Sequence, residues 1–136
     1  MLTALALSSS DLGLGAAITF AINSRYNIPK AWASTALLPF LLDLHAANQP
    51  QRMVNIARAL GEETDSFTSE EASLRASRAV RRIVAKLELP SRLRDFNLSM
   101  DMLPMIVDIA AEMDFSRSVP FSVSHQMVYD LVKQAF

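Results

Sequence analysis

The side chains able to do chemistry are few, and their spacing serves it poorly. There are two histidines, His45 and His125, and no cysteine. Thiolate metal sites, thiol nucleophiles and disulfide frameworks are therefore excluded. His45 follows Asp43 near the end of an expected helix, where a protonated imidazole would suit the helix dipole. His125 lies beside Ser124, an expected helix cap. Neither has a second His or a carboxylate three or four residues on, so both read as structural or surface residues rather than ligands. No G-x-S-x-G occurs, which leaves a serine hydrolase without its nucleophile turn. Gly13, Gly15 and Gly61 form no phosphate loop. Arg75, Arg78, Arg82 and Lys86 recur at helical spacing and could face nucleic acid. No aromatic residues interleave with them, and Glu71 is placed to pair with Arg75 at i+4, so the stripe reads as a solvated face.

The elements that would position these residues are helical. With 51% hydrophobic and 20% charged residues among 136, the chain has the composition of one globular domain with one modest core. A net charge of −1 gives no long-range pull toward nucleic acid or an anionic membrane. No stretch alternates with period two, so the fold class is all-α, about seven helices in a single domain over residues 1–136. The first helical region covers roughly Leu2 to Asn23, broken around Ser8 to Asp11, with Asn23 as a left-handed terminator. A helix from about Ala31 to Ala47 is expected to bend near Pro39. Gln51 to Leu60 follows, stopped by Gly61. Thr68 and Glu71 fit a capping box for a helix from Ser69 to Leu87, with an apolar stripe at Ala76, Val80, Ile83 and Leu87. Ser99 caps a helix from about Met100 to Met113, with Pro104 in its first turn. Ser122 or Ser124 opens the last one.

The N-terminus lacks the basic lead of a secretory signal, and its uncharged run from Leu12 to Ser24 is too short to span a bilayer. A cytoplasmic location without membrane contact is the expectation. Met1 opens directly into apolar sequence, as though the chain began inside a fold.

The stretch "DLGLGAAITFAINSRYNIPKAWASTALLP", Asp11 to Pro39, has a distinctive order. It resembles a segment of the iron-containing (group III) alcohol dehydrogenases that reads G-L-G-L-x-H-x-x-x-H-x-L-G-x-x-x-x-x-P-H-G-x-x-N-A-x-L-L-P. Further pieces follow in the family's order: "RMVNIARALG", "LPSRLRDFNL", "MLPMIVDIAAEM" and the C-terminal "SVPFSVSHQMVYDLVKQAF". The resemblance covers nearly the whole chain. It implies the later part of a helical domain that normally follows a Rossmann-like nicotinamide domain. In that family one Asp and three His hold iron or zinc. The resemblance places the Asp and the first His in a helix ahead of this chain.

The remaining positions can be compared one by one. The family's first His in the quoted stretch falls on Ala16. The next, near the reacting carbon, falls on Phe20. The His of P-H-G falls on Lys30, after Pro29. The family's helix-ending Gly falls on Asn23 and its turn Gly on Asn97, where Asn can hold the same left-handed geometry. Leu12, Gly13, Leu14, Leu37, Leu38, Pro39, Pro90, Leu93, Arg94 and Asp95 match framework positions. A methyl group and a phenyl ring offer a metal no lone pair, and an ammonium repels it.

The resemblance thus implies a frame kept without its metal ligands. No cofactor and no catalytic residue are expected in the isolated chain. Lys30, near a helix N-terminus, should reach water, find a carboxylate, or stand where the cation stood. Three roles follow. The first is a non-catalytic interaction module, self-associating through apolar surface around Leu2 to Phe20 or covered by an upstream or partner chain. The second is a small-ligand pocket at Ala16, Phe20 and Lys30. The third is a subunit of a split, metal-independent oxidoreductase.

Overall fold

The computed structural model describes residues 13–113 and 118–136. Among these residues there are six α-helices, two short 3-10 turns and no strand. The helices are α1 (Leu14–Tyr26), α2 (Lys30–Asn48), α3 (Pro50–Ala59), α4 (Ser69–Lys86), α5 (Leu103–Ala111) and α6 (His125–Gln134). The 3-10 turns are Leu93–Phe96 and Met100–Met102. The expected break around Ser8 to Asp11 lies outside the described residues, as does the helical stretch before it. No helix among the described residues is long and apolar enough to cross a membrane.

Sequence chemistry sets most boundaries. Thr68 caps α4 by accepting from the Glu71 N–H, and the Glu71 carboxylate accepts from the Thr68 N–H in return, completing the expected box. Ser124, not Ser122, caps α6 by accepting from the Met127 N–H. Pro104 starts α5 late: residues from Met100 form a 3-10 turn, and the α-helix begins at Leu103. Gly61 closes α3 in the left-handed region (φ 82°), with Gly61 N–H bonded to Arg58 O and Glu62 N–H to Ala57 O. α2 runs through Pro39 as one helix of 19 residues.

Two expectations are corrected. Asn23 does not end α1. It stays helical, its backbone oxygen accepts from the Asn27 N–H, and its Nδ2 donates to Ile28 O at 3.0 Å. The left-handed residue is Asn27 (φ 55°), one turn later; Asn97 (φ 61°) is left-handed as expected. The buried stripe of α4 is Ala72, Ser73, Ala76, Ser77, Ala79 and Val84, whereas Ile83 and Leu87 are 47% and 61% exposed. Small residues win because they let α4 approach closely. The hydroxyls of Ser73 and Ser77 bond to Glu70 O and Leu74 O in their own helix, so they can be buried.

The main core joins α1, α2, α5 and α6. Ile18, Ile22, Leu37, Leu93, Leu103, Ile106, Val107, Val128 and Val132 are its fully buried large members, Leu93 joining from the first 3-10 turn. α3 and α4 form a hairpin packed on the other side of α2. Met53, Val54 and Ala57 of α3 meet the small residues of α4 there. α2 is thus a shared wall between two apolar layers.

Candidate functional site

The three positions singled out in the sequence lie at the α1–α2 corner. Ala16 and Phe20 are one turn apart, hence on one face of α1, and both are half-buried. The opposite face of α1 carries Leu14, Ile18, Ala21 and Ile22 into the core. Two contacts fix α1 against α2. The Thr19 hydroxyl lies 3.3 Å from that of Ser34. Gly15 sits so close to Leu41 that a Cβ there would stand 2.6 Å from Leu41 Cδ1, so a larger residue would require the end of the Leu41 side chain to move.

The turn Asn27–Pro29 then aims α2. Ile28 is buried, and the oxygen of Pro29 accepts from the N–H groups of Trp32 and Ala33. Lys30 is therefore the first residue of α2, at the positive end of the helix dipole. Its side chain turns back to α1: Nζ lies 3.9 Å from the centroid of the Phe20 ring. The quadrupole of the ring offsets the unfavourable charge, a contact worth about 0.5–1 kcal/mol at an exposed site. The sequence suggested water, a carboxylate or an empty cation position for this ammonium; the partner found is aromatic. The cavity beside this corner is lined instead by Gly15, Thr19, Ser34, Thr35, Leu38 and Leu41, with a volume of about 290 Å³.

The other candidates are elsewhere. His45 is half-buried near the end of α2, edge-on to Phe121 at 5.2 Å. Burial holds its pKa below the ordinary imidazole value. It is neutral near pH 7, so the favourable dipole position is not used by a cation. His125 Nε2 lies 2.9 Å from Asp108 Oδ1, an exposed link between α6 and α5 made across 17 residues and invisible to local spacing. In the basic stripe, Glu62 pairs with both Arg75 and Arg82, and the Arg75 guanidinium lies over the Phe67 ring at 4.4 Å. Glu71 is engaged in the cap and does not pair with Arg75. The Thr68 N–H and hydroxyl hold the Glu71 carboxyl below the usual carboxylate range.

One cluster escaped the sequence reading. Arg81 reaches from α4 to Asp43 on α2, Nη2 to Oδ2 at 2.6 Å. The guanidinium carbons of Arg81 and Arg92 lie 5.1 and 5.2 Å from the centroid of the Phe40 ring. Arg92 Nη1 also donates to Gln134 O at the end of α6. No local pattern joins these residues; only the tertiary fold does.

Comparison with known proteins agrees with this architecture. The structure of an alcohol dehydrogenase from Oenococcus oeni superposes with a TM-score of 0.88 at 20% identity, covering 100% of this chain and 36% of that one. A 1,3-propanediol oxidoreductase gives a TM-score of 0.86 at 24% identity, over 92% of this chain and 33% of that one. The fold is thus that of a helical domain found in alcohol dehydrogenases. At sequence level, 1,3-propanediol dehydrogenase of Citrobacter freundii is 25% identical over 136 residues, all of this chain and 35% of that protein. Lactaldehyde reductase of Escherichia coli (strain K12) is 27% identical over 105 residues, 77% of this chain and 28% of that protein. The chain belongs to the Fe-containing alcohol dehydrogenase family: the model of the family's C-terminal part matches residues 1–136. It spans about a third of the length of the curated relatives it matches.

At the corner where the sequence resemblance places the family's metal, the side chains present do not fit one. A methyl group, a phenyl ring and an ammonium supply no lone pair to a divalent ion. The ammonium lies against the very ring that fills one of these positions. Among the described residues, no group of three His, Cys, Asp or Glu side chains could hold a metal ion.

Proposed function

We propose that this chain is a metal-free, non-catalytic helical module of the Fe-containing alcohol dehydrogenase family, acting through association rather than hydride transfer. The observation that carries the reading is the contact of Lys30 Nζ with the Phe20 ring, 3.9 Å from its centroid. A cation already occupies this corner, and the side chains around it repel or ignore a second. Elemental analysis after loading with zinc or ferrous iron tests it, together with assays of oxidation of 1,3-propanediol by NAD+ or NADP+ and of reduction of lactaldehyde by NADH or NADPH. The expected result is substoichiometric metal and no turnover. Stoichiometric metal, or turnover abolished by a chelator, would overturn it.

The partner in this reading is a second copy of the chain. Supporting it is apolar exposure on α2 and the turn after α4: Trp32 is 52%, Leu38 43% and Leu87 61% exposed. Burying such side chains against a second copy removes apolar area from water. Sedimentation velocity at low micromolar concentration should give a dimer or larger species, and a stable monomer would refute self-association.

A further inference from the structure

Two further cavities share Thr35 and Leu89 and so adjoin as one groove along α2; Thr35 also borders the cavity beside the α1–α2 corner. The smaller, about 220 Å³, is walled by Ala31, Trp32, Thr35, Leu89 and Pro90 and is mainly apolar. Trp32 is held there by Phe96, ring centroids 5.8 Å apart. The larger, about 360 Å³, ends at Phe40, Arg81 and Arg92, and it falls within the range of about 300–1,000 Å³ usual for small-molecule sites. The groove is therefore polarised, apolar at the tryptophan end and cationic at the other.

The charges at the cationic end are not equivalent. Arg81 is neutralised by Asp43 and also bonds to Ser77 Oγ. Arg92 has the Gln134 carbonyl for a partner, and among the described residues no carboxylate lies within ion-pair distance of it. A guanidinium presents its donors as a planar fork, and one bond to a carbonyl leaves most of them available. Ser91 adds a hydroxyl beside it. The opposing charge is Glu88, also in the wall, on the left-handed residue that follows α4.

We propose that this groove binds a single-chain amphiphilic carboxylate. Its carboxylate pairs with Arg92, and its alkyl chain lies over Val84 and Leu89 toward Pro90 and Trp32. Charge complementarity selects the carboxylate head, since Arg92 is the guanidinium of the groove without an acidic partner. The apolar far end selects the chain over a small inorganic anion. None of Ala16, Phe20 and Lys30 lines the groove, so the site does not rest on the metal-free reading of that corner. Trp32 is also among the side chains offered to a second copy, so the titration is run where sedimentation shows a single species.

Trp32 is the chain's sole tryptophan and sits in the groove, so its emission reports occupancy. The probe is octanoate, titrated into the full chain below its micelle concentration, with 1-octanol and acetate as comparisons. Octanoate should shift Trp32 emission saturably and bind about ten-fold more tightly than octanol, the effect of one charged hydrogen-bonded pair. Acetate should leave the emission unchanged. Arg92→Gln should weaken octanoate about ten-fold and leave octanol unaffected. Glu88→Gln, at an exposed position, should tighten octanoate, and it keeps the test decisive if Arg92→Gln fails to fold. Octanoate and octanol binding alike, no saturable shift, or no tightening in Glu88→Gln would overturn the proposal.

Discussion

His45 shows how burial decides the behaviour of one residue. Its position at the end of α2 favours a cation, but desolvation against Phe121 favours the neutral ring, and desolvation wins. The folded pKa is therefore depressed below the unfolded value of about 6.5. The unfolded chain binds the proton more readily, so stability is fully present above pH ~6.5 and falls as pH drops through the window below it. His45→Gln, which cannot titrate, should flatten that acid limb between pH 7 and 5 in urea unfolding. A limb of unchanged slope would show that another group carries it. Glu88 makes a second case. It holds a left-handed backbone, φ 52°, that costs a side chain roughly 1 kcal/mol. Glu88→Gly should raise stability by up to ~1 kcal/mol, read as a higher urea midpoint at unchanged m-value. Gly61, at φ 82° in the matching position after α3, already has the residue that this geometry prefers.

Several helix starts and stops were legible in the sequence, though the stop of α1 fell on Asn27 rather than Asn23. Thr68 with Glu71, Gly61, Pro104 and Asn97 each act through the backbone within a few residues. The inner face of α4 was not legible, because hydropathy favours Ile83 and Leu87 whereas close packing against α2 and α3 favours alanine and serine. Nor was the Arg81–Asp43 pair, which joins two helices 38 residues apart in sequence. That pair is partly exposed, so its net worth is modest. Arg81→Met should cost about 0.5–1 kcal/mol, and a double-mutant cycle with Asp43→Asn should return a coupling of the same size. Zero coupling would mean that the ion pair with Asp43 does not hold the two helices together.

At the scale of the molecule, the all-helical class and the family followed from the order of motifs along the chain. The Ala16, Phe20 and Lys30 corner was legible as three positions, but the contact between Phe20 and Lys30 required the turn at Asn27 to be in place. The groove at Phe40 was invisible, since Arg81, Phe40 and Arg92 come from three elements. The two layers sharing α2 also differ in substance. One is built mainly from Ile, Leu and Val with alanines between them, the other largely from alanine and serine. Burying less apolar area stabilises less, so the α3–α4 hairpin should open without the rest. Native-state hydrogen exchange should find its amides protected by a few kcal/mol less than those of Ile18 and Ile106. Equal protection throughout would make the domain a single cooperative unit.

The same division bears on the order in which the chain assembles. Helices α3 and α4 are joined by nine residues, from Leu60 to Thr68, so their contacts cost little loop-closure entropy. The partners of α1 in the main core include α5, which begins 77 residues after Tyr26 ends it. Local contacts form ahead of distant ones when both gain surface on meeting. The layer that yields first at equilibrium is thus expected to form first in time. φ-values for Ala76→Gly should exceed those for Val107→Ala, and the reverse order would place the nucleus in the main core. A weak layer that forms early would hold α2 in place as a template while the two distant ends of the chain find each other.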